Sequence, residues 1–333
     1  MATLYVTEPG ARLEKEYKRL RLVDKEGKTL LVTPIVRVSE VVLVGWVGVT
    51  TPAMMALLDA GIGLTFITRP GKLRGRLVPP TGKNLELRRE QYLRAKDDGF
   101  GLRLSRAIVT GKLRNSQTMA RRMLRRGVPA PAGQLERLKS SLQVAEYCPD
   151  RASLMGQEGG GAKAYFSILR AALGERLDFG SRSRRPPQDP TNALLSLGYS
   201  LLTANLMTAL EVVGLDPYCG FLHGAAYGRP ALALDVMEEF RPVIVDSIVL
   251  SLVNKRILTA QDFEAGRAGA GIYLTRRGLR LFFEQYSRRL NTRIIHPAAG
   301  RSLSYQKIFE VQSRQIAKLI QGEIDIYQPF LIK

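Results

Sequence analysis

The hydrophobic pattern changes its period near residue 80, and no other feature constrains the fold as much. Before that point, short runs rich in Val, Leu, Ile and Thr recur at residues 4–7, 20–23, 29–32, 41–49 and 62–68. Turn residues separate them at 8–10, 24–27, 59–61 and 70–71, so the runs read as β-strands. One short helix interrupts them, with Thr51 as its expected N-cap and Pro52 at the first helical position. Pro79-Pro80-Thr81-Gly82 closes this region. Beyond it, apolar residues recur every three to four positions against charged faces, predicting helices over 85–96, 102–126, 134–144, 151–173, 191–213, 231–253, 276–289 and 304–320. The expected class is α+β, with a small β-rich domain at 1–80 and a larger all-α domain at 81–333.

A chain of 333 residues with 45% hydrophobic content can bury a sizeable core, which excludes global disorder. Its two cysteines, Cys148 and Cys219, are too far apart for a finger or CxxC site and too few for a disulfide scaffold. The opening residues lack the basic and then apolar pattern of a signal peptide. Residues 191–210 carry no charge and have about the length that spans a bilayer. Asn192, Ser196, Tyr199, Ser200, Thr203, Asn205 and Thr208 are spread along them, however. The run therefore reads as a buried helix of a globular domain, and no membrane is expected as a partner.

The charge balance bears on partners. Fifty Lys and Arg against thirty Asp and Glu leave a formal net charge of +20. Thirteen basic residues lie between Lys83 and Arg126 and only four acidic ones, an excess of nine. Clustered cations make a footprint for a polyanion, nucleic acid above all.

Three segments could carry chemistry. The first is the glycine-rich helix Gln157-Glu158-Gly159-Gly160-Gly161-Ala162-Lys163-Ala164-Tyr165. Each glycine there costs about 1 kcal/mol relative to alanine, so a backbone or a ligand is expected to come close. Tight helix packing explains the glycines and says less about the carboxylate among them. The second is the turn-rich loop from Gly214 to His223, followed by Asp235 and Glu238 on one helical face. An imidazole with carboxylates can bind a divalent ion, and the same spacing also fits a solvated acidic face. The other histidine, His296, sits between apolar residues and a proline and reads as a structural or surface residue. The third is the loop carrying Arg182, Arg184 and Arg185, with Asp189 and Thr191 as candidate caps of the next helix. It suits phosphodiester binding or a plain surface linker.

Taken in order, E-G-x-x-A-[RK]-x-Y-F from Glu158, R-x-R-R-P-P-x-D-P-x-N from Arg182, G-L-D-P-x-x-G-F-L-H from Gly214 and L-A-x-D-x-M-E-x-F-R-P-x-x-V-D from Leu232 resemble the CRISPR-associated integrase family. These are the larger subunits of the spacer-acquisition complex. The resemblance extends to Tyr327-Gln328-Pro329-Phe330. It implies an N-terminal β domain for dimerisation and a C-terminal helical domain holding Mg²⁺ or Mn²⁺. The family's metal-binding and catalytic positions fall on Glu158, His223 and Glu238, and a Glu at the last position is within the family pattern. Asp235, Tyr165, Asn192 and Arg241 match positions around that set, Asp235 either coordinating directly or from behind; Arg182, Arg184, Arg185 and Lys163 would hold DNA.

The implied reaction is attack by the 3′-hydroxyl of a captured DNA fragment on a phosphodiester at the edge of a CRISPR repeat. A general or branched-DNA nuclease that only hydrolyses is the alternative. The implied partners are double-stranded DNA, a second copy of the chain and a small companion subunit, and the implied setting is the prokaryotic cytoplasm.

Overall fold

The computed structural model describes residues 2–69, 71–79, 84–129, 131–174, 176–177, 179–180, 182–183, 186–224, 226–266 and 271–332. The first eighty residues form β1 (Ala2–Val6), β2 (Arg12–Glu16), β3 (Arg19–Val23), β4 (Thr29–Pro34), β5 (Val38–Val44), β6 (Gly48–Val49), α1 (Thr51–Asp59), β7 (Gly63–Ile67) and β8 (Leu73–Leu77). They make two four-stranded sheets, ordered β1-β5-β7-β8 and β4-β3-β2-β6. Leu13, Leu20, Val41, Leu43, Leu57 and Leu64 are among the side chains of their shared core.

The run at 41–49 is two strands, one in each sheet. Gly45, at φ 76°, breaks it, donating its amide to Ile67 O at 2.8 Å; a positive φ is inexpensive only for glycine. β2 and β8 were not expected, because Arg12-Leu13-Glu14-Lys15-Glu16 is mostly charged and Leu73-Arg74-Gly75-Arg76-Leu77 has two arginines around a glycine. Their partners place them: β2 pairs with β3 and β6, and β8 with β7. The cap of α1 is Thr50, one residue earlier than expected.

The remainder is mostly helical. It comprises α2 (Leu85–Arg94), α3 (Asp98–Arg125), α4 (Gln134–Ala145), α5 (Arg151–Leu173), α6 (Pro190–Val213), α7 (Ala231–Phe240), α8 (Ser247–Asn254), α9 (Arg276–Asn291) and α10 (Tyr305–Ile320). The expected all-α character needs correction. Two short hairpins, β9 (Phe263–Ala265) with β10 (Ile272–Leu274) and β11 (Arg293–Ile295) with β12 (Ser302–Ser304), lie in this part. Three-residue strands are too short to show a period. The single helix expected over 231–253 is also interrupted. Between α7 and α8 a π-helical turn runs over Pro242–Asp246, and Asp246 N bonds back to Arg241 O at 3.1 Å. Proline cannot donate to a regular helical ladder, and such wide turns often mark functional positions. α6 is the one helix among the described residues long and apolar enough to cross a membrane, and 78% of its most apolar window is buried in the protein.

The chain folds as two compact units. One comprises Met1–Thr81, Ser183–Ala204 and Leu258–Asn291; the other Gly82–Arg182, Asn205–Ile257 and Thr292–Lys333. Two later segments thus join the β-rich start, in addition to the residues before position 80.

Candidate active site

The second unit gathers most of the candidate residues. Its groundwork is the loop from Gly214 to His223. Buried Gln91, on α2, clamps it: Nε2 donates to the carbonyls of Asp216 and Cys219, and Oε1 accepts from Asp216 N, each at 2.9 Å. Gly220 lets the loop lie against the start of α7. A Cβ there would come within 2.7 Å of Ala231 and 2.8 Å of Asp235 Oδ2, closer than any side chain tolerates.

That approach delivers backbone amides to Asp235, which is fully buried. Its Oδ2 accepts from Phe221 N at 2.6 Å and Leu222 N at 2.9 Å. Its Oδ1 accepts from His223 N at 2.9 Å and meets His223 Nδ1 at 2.7 Å. Asp235 therefore spends both oxygens on the loop and the imidazole. With Nδ1–H committed to the carboxylate, Nε2 is the nitrogen left to accept a proton or ligate a cation.

Lys112 of α3 completes the centre. Its ammonium bridges Glu158 Oε1, from α5, and Glu238 Oε2, from α7. Arg241 Nη1 takes the other oxygen of Glu238 at 2.8 Å. Lys112 and Glu238 are buried, whereas the Glu158 side chain keeps 22% of its exposure. Burial acts to raise the Glu238 pKa, but Arg241, Lys112 and, more weakly, His223 hold it down at about 2. Glu238 is thus an anion at any physiological pH. Its Oε2 is buried and meets the lysine ammonium.

This donor set fits a hard divalent cation in type: two carboxylate oxygens already drawn to one positive centre, and an imidazole backed by a carboxylate. Among the described residues, however, no three His, Cys, Asp or Glu side chains converge as a ready metal cage. The lysine ammonium is the positive centre the two carboxylates share.

The family described as CRISPR associated protein Cas1 matches residues 4–288 of this sequence. The chain belongs to the Cas1 family. The CRISPR-associated endonuclease Cas1 3 of Thermus thermophilus is 38% identical to it, over 100% of this chain and 98% of that protein. Two solved structures share its fold. One is a casposase bound to integration product, with a TM-score of 0.86 and 23% identity over 98% of this chain and 93% of that one. The other is a Cas6-RT-Cas1–Cas2 complex, with a TM-score of 0.81 and 22% identity over 98% of this chain and 36% of that one.

The remaining expected residues of this Cas1-family chain are dispersed. Tyr165 is buried in α5, edge-to-face with Phe166. Lys163 is exposed on the same helix, and Arg182 is half-buried. Arg184 and Arg185 lie outside the described residues. Asn192 belongs to the first unit, where its side chain accepts from Ser183 N at 3.0 Å and its amide is capped by Asp189 at 2.7 Å.

Of the α5 glycines, Gly161 answers to packing, since a Cβ would meet Leu113 at 2.4 Å. Gly156 and Gly159 have nothing within 4 Å of that position. Sequence reasoning missed Lys112 and Gln91. Lys112 was one of thirteen cations in a basic run; a lysine on the apolar side of an amphipathic helix was the available signal, since its α3 neighbours Ile108, Val109 and Leu113 are all fully buried. His296 is structural rather than on the surface: buried, accepting from Ala299 N at 3.0 Å and bonded to Gln312 at 3.1 Å.

Proposed function

We propose that this chain is a divalent-metal-dependent DNA integrase and endonuclease, which inserts captured DNA fragments into a CRISPR array. The observation that carries the reading is the meeting of Glu158 and Glu238, from separate helices, on one cationic centre. His223, turned by Asp235, is the third ligand in this reading. Family membership supports the same role, as does the fold shared with a casposase bound to integration product.

Glu158, His223 Nε2 and Glu238 would hold Mg²⁺ or Mn²⁺. When bound, such an ion supplies Lewis acidity to a phosphoryl oxygen and stabilises charge on the attacking or departing oxygen. The protein's own groups prepare that chemistry. Arg241 keeps Glu238 ionised, and Asp235 engages Nδ1 of the imidazole, which leaves Nε2 for a cation. Exposed Arg121, Arg125 and Arg126, at the end of α3, together with Lys163, would grip phosphates with little regard to sequence. Glu158 remains the most exposed of the set.

The remaining partners follow from the same reading. β4 ends its sheet and exposes Leu30, Leu31 and Val32 by 44%, 40% and 40%, an apolar edge suited to a second copy of the chain. A small companion subunit is supported by the fold shared with a Cas1–Cas2 complex. A prokaryotic cytoplasmic setting, with no membrane partner, completes the proposal.

The decisive experiment mixes supercoiled plasmid, a short duplex and Mg²⁺ or Mn²⁺, and resolves the strands. Joined products are expected and should vanish in Glu158→Ala and His223→Ala. Nicks without joining would favour the hydrolytic alternative, and full activity in both variants would sink the site. Binding to DNA should also fall steeply with salt, by roughly a thousandfold or more between 50 and 200 mM if six or more phosphates are held.

A further inference from the structure

The position of Lys112 has a consequence for how the site loads. Its side chain is only 8% exposed, and its ammonium is shared by Glu158 and Glu238. Two carboxylates close enough to share one ammonium would repel each other if it left with nothing in its place. The other cation at the site is fastened differently. Arg241 sits on the same helical segment as Glu238, three residues on, and binds Oε1, whereas Lys112 binds Oε2. A guanidinium is a rigid fork that stays with its carboxylate; an ammonium on a four-carbon stem can swing away.

The α3 backbone beneath Lys112 is fixed. Gly111 lies so close to the C-terminal segment that a Cβ would meet Pro329 at 2.5 Å. Asn115, one turn further along, donates to Glu239 O and Phe330 O, both at 2.8 Å. Any displacement is therefore confined to the lysine side chain. The charges point the same way. Among these four side chains Lys112 and Arg241 balance Glu158 and Glu238, so a divalent ion added to them would bring their sum to two positive charges. If Lys112 withdraws the sum falls to one, and the Asp235 carboxylate behind His223 lowers the local charge further.

We propose that Lys112 is the resident counter-ion of the metal-free site, ejected when a divalent cation binds and thereby freed to pair with a phosphate oxygen of the nucleic acid. This inference rests on the metal reading above, and metal affinity in the free protein is then limited by the fraction of molecules in which the lysine has left.

The test is Mn²⁺ titration of the full chain by calorimetry, without DNA. Lys112→Met, which keeps the stem and removes the charge, should bind Mn²⁺ roughly tenfold tighter or more. It should also melt lower without metal and gain more in Tm when Mn²⁺ is added. Equal or weaker binding by Lys112→Met overturns the exchange.

Should that variant not fold, the wild-type protein serves. Acylation of lysine amines, read by mass spectrometry against exposed Lys18, should label Lys112 severalfold faster with Mn²⁺ present. Unchanged labelling of Lys112 while Mn²⁺ binds removes the exchange and leaves the metal reading standing. Absence of any Mn²⁺ binding to the wild type removes both.

Discussion

Glu238 and Glu239 are consecutive residues of one helix, both buried, yet their surroundings drive them in opposite directions. Glu238 faces Lys112 and Arg241, and these cations overcome burial to hold its pKa at about 2. Glu239 faces neutral donors. Tyr327 OH reaches its Oε1 at 2.6 Å, while Phe330 N at 2.7 Å and Gln312 Nε2 at 3.2 Å reach Oε2. Burial dominates there and pushes its pKa up to about 8 against the pull of those hydrogen bonds. A buried carboxyl beside cations stays an anion. A buried carboxyl among neutral donors is a strut, here tying the C-terminal segment to α7.

The contrast can be broken or sharpened by mutation. Glu238→Gln should produce the largest effect, a loss of strand joining on the order of a thousandfold in a gel-based integration assay. The fold should survive, because the amide still accepts from Arg241. Asp235→Asn should cost roughly 10- to 100-fold in joining, the usual cost of disturbing a group that orients a metal-binding imidazole. The reverse order would make Asp235 the ligand and Glu238 the support.

Glu239→Ala should act on stability instead. It strands the Tyr327 hydroxyl and the Phe330 amide, for a loss of about 1–3 kcal/mol in urea denaturation, with joining in folded protein changed far less than by Glu238→Gln. A joining defect equal to that of Glu238→Gln would erase the distinction between the two carboxyls.

The smallest effect concerns His296, linked to Glu239 through Gln312. Burial lowers its pKa, with Gln312 opposing and Arg301 adding to the decrease. A depressed folded-state pKa means that the unfolded chain takes up the proton first. Stability from the neutral ring is therefore present above the unfolded pKa of about 6.5 and is lost as pH falls through the folded value. Denaturation midpoints should decline below about pH 6.5, and His296→Gln should flatten that decline. A slope unchanged by the substitution would assign it to other groups.

Much of this architecture was legible in the residues. Strands rich in β-branched side chains and helices with apolar stripes were found wherever the pattern ran long enough. Elements with few β-branched side chains, such as the charged β2 and the arginine- and glycine-containing β8, escaped because pairing with neighbours places them. The hairpins β9–β10 and β11–β12 escaped because three residues carry no period. The break at Pro242 was missed although the proline was visible, since a π turn depends on how α7 and α8 pack.

The sequence by itself determined the two compositional regions, the basic character, the family and the ordered motifs containing Glu158, His223, Asp235 and Glu238. Chain order, periodicity and charge are local quantities, so one strand of letters suffices to read them. Only the tertiary structure decided that Lys112 sits between Glu158 and Glu238, that Asp235 is consumed by a loop and an imidazole, and that Glu238 and Glu239 are shifted in opposite directions. Each of those facts depends on which groups from distant segments share a buried volume, where low polarisability magnifies every charge and every missing hydrogen bond.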